Sequence, residues 1–272
     1  MDADRPRTDR RARRGDRALS RVETIGAATL VCGDWRDALD LLAETDAAVC
    51  DPPYGIRHSS SFAIAGRNGP KQQASWADTE IANDGDTSAR DEFVAWLGSR
   101  PGAFCGTWKR PAPRGTRAAI VWDKGPMFGM GDLSLPWKPS WELVFVTGEG
   151  WRGSRGEGVL RGGGIVPWES RGRVHPHEKP VWLMRHFVDR LPASARTVAD
   201  PFMGSGPCAV AALSAGLAFV GCELDSKHHT SACRRVEAWA RQADLFVPPP
   251  RRAPDLYAAY QRPADLFAGS AS

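Results

Sequence analysis

Four consecutive residues, Asp51-Pro52-Pro53-Tyr54, combine groups that would meet by chance in about one chain in a thousand at average composition. The two prolines remove two N–H donors and stiffen the backbone, which leaves carbonyl oxygens directed outward. An acid, a proline carbonyl and an aromatic face suit a planar ring that bears an exocyclic amine. The oxygens accept the two amine hydrogens, and the ring stacks on the tyrosine. The tetrapeptide follows Asp46-Ala47-Ala48-Val49-Cys50, whose apolar run predicts a short buried strand. An ordinary Pro-Pro turn with a surface tyrosine fits poorly there, because open α/β sheets bind ligands at the carboxyl ends of their strands.

A second constellation lies later in the chain. Thr197-Val198-Ala199-Asp200 predicts a strand that leads into Pro201-Phe202-Met203-Gly204-Ser205-Gly206. A small-residue helix (207 to 217) and another strand (218 to 222) follow, and the strand ends at Glu223. Glycines there let the backbone approach a ligand closely, and a helix start offers free N–H groups. Glu223 stands 23 positions after Asp200, where an acid at the tip of the next strand can bind ribose hydroxyls. The glycine turn taken alone also reads as a tight turn packing helix on strand. It is too short for a phosphate-cradling Walker loop, and no Gly-Lys-Ser/Thr follows it.

The elements that must hold these tips alternate along the chain. Strands are predicted at 27–32, 46–50, 118–122, 141–146, 197–200 and 218–222, with helical spacing over 35–42, 92–97, 179–191, 207–217 and 226–242. Apolar strands alternating with helices predict an α/β fold, doubly wound, with a mostly parallel sheet covered on both faces. Residues 55–90 and 148–174 show no sustained period, and the second stretch holds nine Gly and five Arg. Irregular segments this long inside a compact domain usually serve function. Residues 1–24 hold eight Arg among Asp and Glu, a composition that reads as a disordered arm. Residues 248–272 read as a flexible Pro-rich tail.

Composition limits the classes. The 272 residues are 42% hydrophobic and 25% charged, enough for one good-sized α/β domain. No stretch approaches the ~20 apolar residues of a membrane span, and no secretory leader is recognisable. The six cysteines form no CxxC pair, which disfavours a zinc ribbon or disulfide scaffold and fits a reducing cytoplasm. The net charge of +4 is compatible with a polyanionic partner.

In this order, Asp51-Pro52-Pro53-Tyr54, His175-Pro176-His177-Glu178-Lys179-Pro180, Asp200-Pro201-Phe202-Met203-Gly204-Ser205-Gly206 and Gly221-Cys222-Glu223 resemble the amino-group DNA methyltransferases, which act on adenine N6 or cytosine N4. The tetrapeptide precedes the glycine turn, as in the circularly permuted β group of that family. The resemblance spans about residues 28–240 and implies a seven-stranded, Rossmann-like, S-adenosylmethionine-dependent fold in a domain over 25–247. It implies that Asp51, Pro52, Pro53 and Tyr54 are catalytic. Asp200, Phe202, Gly204, Ser205 and Gly206 would line the methionine part of the cofactor, Glu223 would hold the ribose, and Asp34 would face the adenine. Lys179 would help close the methionine end, and Asp51 borders both pockets. Many relatives have Thr after Gly-Ser-Gly. Pro207 stands here instead and gives neither hydroxyl nor N–H to the cofactor carboxylate.

The implied substrate is double-stranded DNA with the target base rotated out of the stack onto Tyr54. Adenine is preferred because Asp at the first position resembles the N6 enzymes more often; cytosine N4 is the alternative. The irregular segments 55–90 and 148–174 are the expected target readers, and Arg152, Arg155, Arg161, Arg171 and Arg173 are the candidate DNA contacts. The same residues also read as solvated loop arginines. The expected setting is the cytoplasm of a bacterium or of a phage-infected cell, with a restriction-modification role open.

Rival readings are methylation of RNA or of a protein glutamine, and an inactive nucleic-acid-binding module. Asn at the first position and the reverse motif order would mark the glutamine enzymes. No metal is expected, because His175, His177, His228 and His229 lack zinc-like spacing. The eleven Trp read mostly as core. Gln242-Ala243-Asp244-Leu245-Phe246 resembles the peptide that docks bacterial replication proteins on the sliding clamp, although a helix end packing Leu245 and Phe246 on the domain is the favoured reading. No membrane contact is implied, and the oligomeric state stays open.

Overall fold

The computed structural model describes residues 21–56, 84–125, 134–162 and 178–243. The elements run β1 (Arg21–Ile25), β2 (Ala28–Cys32), a 3-10 turn (Trp35–Asp37), α1 (Leu39–Ala43), β3 (Ala47–Cys50), α2 (Ser88–Leu97), β4 (Gly102–Gly106) and β5 (Ala118–Asp123). They continue with β6 (Trp141–Thr147), β7 (Val159–Arg161), α3 (Val181–Val188), β8 (Thr197–Asp200), α4 (Pro207–Ser214), β9 (Ala218–Glu223) and α5 (Ser226–Ala243). One sheet contains all the strands, in the order β1-β2-β9-β8-β3-β4-β6-β5-β7. Pairing is parallel across β2-β9-β8-β3-β4 and between β5 and β7, and antiparallel at β1-β2, β4-β6 and β5-β6.

The strands alternate their side chains between two cores, as the pleat requires. Leu30, Ala47, Val49, Ala103, Cys105, Val198 and Phe219 enter one core with Leu183, Met184 and Phe187 of α3, Ala211 and Ala212 of α4, and Val236 of α5. Val31, Ala48, Cys50, Phe104, Ala199 and Val220 enter the other with Leu42 of α1 and Phe93, Val94 and Leu97 of α2. The sheet is therefore wound on both faces, as expected.

Among the described residues the sheet has nine strands rather than the expected seven. The additional ones lie at its edges, the β1 hairpin arm and three-residue β7. The expected disordered arm also ends too late, because residues 21–24 belong to β1 and pair with β2. Its charged alternation suits an edge strand, where Arg21 and Glu23 face water and bond each other at 2.8 Å. Residues 1–20 and the tail at 248–272 lie outside the described residues. Among the described residues no helix is long and apolar enough to cross a membrane. None of the six cysteines forms a disulfide, and all six are buried.

Candidate active site

The parallel register brings the two sequence constellations to one edge. β3 and β8 are neighbours, with Ala47 opposite Val198 and Ala48 opposite Ala199. Asp51 and Asp200 therefore leave the sheet side by side at its carboxyl end. β4 and β5 run toward the same edge, and antiparallel β6 starts there, with Gly106 opposite Leu143 and Asp123 opposite Trp141.

An ion network holds the tetrapeptide. The Lys179 ammonium lies 2.9 Å from Asp51 Oδ2 and 3.2 Å from Glu142 Oε2. Tyr54 donates its hydroxyl to Glu142 Oε2 at 3.0 Å, and Lys124 Nζ lies 2.9 Å from Glu142 Oε1. The Lys179 ammonium also sits 5.2 Å from the Tyr54 ring centroid. Lys179 is 7% exposed. Burial works against its charge, but Asp51 and Glu142 more than offset this and raise its pKa. Burial also works against the charge of Glu142, yet Lys179 and Lys124 hold that carboxyl down at about 2. Burial raises the pKa of Asp51, with Lys179 pulling the other way.

Asp51 Oδ1 is buried and has no hydrogen-bond partner among the described residues. A buried acceptor left unpaired is costly, so this oxygen is suited to a donor brought by a ligand.

The glycine turn is built differently. Gly204 and Gly206 take φ of +52° and +80°, the left-handed region that favours glycine. A Cβ on Gly206 would stand 3.2 Å from that of Ala232, whereas one on Gly204 would meet nothing within 4 Å. Gly204 N–H donates to Glu223 Oε2 at 2.9 Å and Asp225 N–H to Oε1 at 2.8 Å, which fixes the acid at the tip of β9. Asp200 is buried and accepts from Phe202 N–H at 3.0 Å, and burial pushes its pKa well above the carboxylate range. Phe202 packs edge-on to Phe93. Asp34 caps the 3-10 turn through Arg36 N–H at 2.9 Å and pairs with the Arg36 guanidinium at 3.1 Å.

Two adjacent residues join the halves. Glu178 accepts from Ser205 Oγ at 2.8 Å and pairs with Arg235, while Lys179 pairs with Asp51. The structure thus brings Asp51, Tyr54, Lys179, Asp200, Ser205 and Glu223 to one edge. Lys179 bonds the tetrapeptide acid, and only its neighbour Glu178 bonds the glycine turn. Sequence reading missed Glu142. Its signal was a lone acid near the start of an otherwise apolar strand.

The arginine set is not brought together. Arg161 ends β7 opposite Asp123 on the site edge and pairs with Glu157 at 2.8 Å. Arg152 follows the far end of β6, where its N–H donates to the Arg190 carbonyl, and so belongs to the opposite edge. Arg155 is exposed on the connection between them. Arg171 and Arg173 lie outside the described residues, as do His175, His177, residues 57–83 of the first irregular segment and the Asp244–Phe246 part of the clamp-like peptide. His229 is buried against the Leu30 carbonyl at 3.2 Å.

An open, mostly parallel sheet with a glycine turn and the acids Asp51, Asp200 and Glu223 at its carboxyl edge is a Rossmann-like fold. A family model described as DNA methylase matches residues 137–234, about one third of the chain. It is 36% identical over 78 residues to the putative methylase YubD of Escherichia coli K12, covering 28% of this chain and 34% of that protein. It is 29% identical over 110 residues to the type II methyltransferase M.BglI of Bacillus subtilis, covering 39% of this chain and 30% of that protein. The matches thus span about one third of each relative's length. The fold is shared with the M1.HpyAVI–SAM complex at TM-score 0.50 and 16% identity, covering 76% of this chain and 99% of that one.

Proposed function

We propose that the protein is an S-adenosylmethionine-dependent DNA methyltransferase acting on the exocyclic amine of adenine. The observation that carries this reading is Asp51 Oδ1, a buried acceptor without a partner among the described residues, at the edge where the glycine turn and Glu223 meet it.

The charge balance supports the cofactor. Burial disfavours the charged forms of Asp200 and Glu223 at this edge, and a cationic ligand beside them would favour those forms. Asp200 and the turn at Gly204–Gly206 would hold the methionine end, and Glu223 keeps lone pairs for ribose hydroxyls. Asp34 keeps lone pairs beside its Arg36 contacts for the adenine side. When bound, S-adenosylmethionine supplies an electrophilic sulfonium methyl.

The chain's own residues do the rest. The amine of adenine is a weak nucleophile because its lone pair is delocalised into the ring. Asp51 Oδ1 and the Pro52 carbonyl accept its two hydrogens and turn the lone pair toward the methyl. With the methyl held there, the amine would take it in exchange for a proton, which the carboxylate of Asp51 would accept. Lys179 stays charged throughout and holds Asp51 in place. Tyr54, anchored through Glu142, offers its face to the extruded base. Most of the acceleration comes from positioning and oriented acceptors. Proteins of this reading bind duplex DNA and rotate the target base out of the stack.

The test is incubation with methyl-labelled S-adenosylmethionine and unmethylated genomic DNA, followed by digestion and mass analysis of the bases. N6-methyladenine is the expected product. N4-methylcytosine would move the assignment to the alternative base, and label in RNA or protein but not DNA would overturn it.

A further inference from the structure

The strongest feature outside the reacting groups is a set of tryptophans that the fold leaves uncovered. Trp137 is 79% exposed and Trp108 is 64% exposed, more than any other large apolar side chain among the described residues. A buried indole removes on the order of 200 Å² from water, so two left outside on one edge call for a partner. The expectation that the tryptophans are mostly core fails at these two positions.

Both stand on the edge that carries Asp51. Trp108 lies two residues past the end of β4, where Gly106 pairs with Leu143. That exit meets the start of β6, whose Trp141 is 38% exposed. Beyond Asp123 and Trp141 the ladder continues with Lys124 N–H to the Ser140 carbonyl at 2.8 Å, so the Trp137 segment enters the sheet at the same end. The Arg110 guanidinium donates to the carbonyl of Gly55, the residue after Tyr54, which ties the Trp108 loop to the tetrapeptide.

The two segments carry cations and no acid of their own: Lys109, Arg110 and Arg114 in residues 107–116, and Lys138 in residues 134–141, with Asp86 the acid near Arg110. Exposed rings set beside cations fit a polyanion whose bases present their faces, which is locally opened DNA. A protein surface would more readily meet tryptophans within a rim of mixed charge.

We infer that Trp108 and Trp137, with Lys109, Arg110 and Lys138, form a contact for unstacked DNA beside the tetrapeptide. The indoles stack on bases next to the extruded nucleotide, and the cations take its flanking phosphates. This deepens the reading given under Proposed function and rests on it.

The test compares the full-length protein with W108A/W137A by fluorescence anisotropy, on a labelled duplex carrying a central mismatch and on the same duplex fully paired. The wild type is expected to favour the mismatched duplex. The double variant should lose at least about tenfold in affinity for it while keeping its S-adenosylmethionine affinity and circular dichroism. W108F/W137F, which keeps an aromatic ring at both positions, should retain most of the binding. K109A/K138A should reduce the slope of log affinity against log salt by about two.

Equal affinities for the wild type and W108A/W137A would overturn the contact. So would a wild-type dimer in sedimentation that W137A dissolves, since the rings would then serve a second copy. A wild type that methylates DNA with unchanged KM in W108A/W137A refutes this inference alone. A wild type that binds opened DNA through the indoles but transfers no methyl to it refutes only the proposed reaction.

Discussion

The two halves of the site are built on opposite electrostatic plans. Around Asp51 the contacts run from side chain to side chain, and charges alternate along Asp51, Lys179, Glu142 and Lys124. Around the glycine turn Asp200 and Glu223 bond backbone N–H groups, with His228 acting on Glu223. Burial raises the pKa of both. The first half is thus poised before any ligand arrives, whereas in the second the charged forms of both acids are disfavoured until a cationic ligand stands beside them. Glu178 and Lys179, side by side, make each half sense the other.

The comparison breaks most sharply at Asp51. Asp51→Ala should lower methyl transfer by about 10³-fold or more, because the oriented acceptor is lost. Cofactor affinity should stay within about threefold, since the glycine turn and Glu223 are untouched. Label incorporation and calorimetric titration of S-adenosylmethionine read the two effects separately. Comparable loss of both would mean that the halves are one pocket rather than two.

Asp200→Asn tests the other half and should act in opposite directions on binding and stability. The amide keeps the Phe202 N–H bond but carries no buried charge. A carboxyl whose folded pKa is raised weakens the fold as pH climbs from the ordinary carboxylate range toward the folded value, so removing it should stabilise the ligand-free protein at pH 7. An increase in Tm of about 2–4 °C per kcal/mol relieved is expected. Cofactor affinity should fall by about tenfold, and with it the thermal shift that the cofactor produces.

The two halves also differ in how far they could be read in advance. The strand, turn, helix and strand around Asp200 and Glu223 are contiguous, so their spacing alone placed the acid at the next tip. The tetrapeptide announced itself by composition. Glu142 did not, because it lies 91 positions after Asp51 and acts only through the β4-β6 pairing. β4 itself was unreadable for a steric reason. Gly102 and Gly106 flank Ala-Phe-Cys, and a Cβ on either would lie about 2.5 Å from the ring of Phe104 or Phe145. The ring packing that demands glycine also removes the apolar run that marks a strand. β1 hid behind the alternating charges of an edge, and β7 is only three residues inside a glycine-rich stretch. The exposed indoles, by contrast, could be separated from core ones only once the sheet edge was known.

Glu142→Gln is the finest probe of the charge-alternating half, and its effect should appear in the pH profile more than in the rate. The groups facing Asp51 are Lys179 ahead of α3, Glu142 on β6, Tyr54 on its own tip, Asp200 on β8 and Cys105 on β4. Burial and the Glu142 charge raise the Asp51 pKa, and Lys179 lowers it. Removing the Glu142 charge while Lys179 stays cationic should therefore let Asp51 ionise more easily. The acid limb of kcat should move down by about half to one pH unit. The maximum should fall by about tenfold as Tyr54 loses a charged acceptor for its hydroxyl. Stability carries the opposite signature. Glu142 is depressed from 4.5 to about 2, so its contribution is fully present above about pH 4.5 and is lost as the pH falls through about 2. The wild type and Glu142→Gln should then differ in Tm at pH 7 and converge in strong acid. A rate loss with an unmoved acid limb would reduce Glu142 to an anchor for Tyr54, with no electrostatic hold on Asp51.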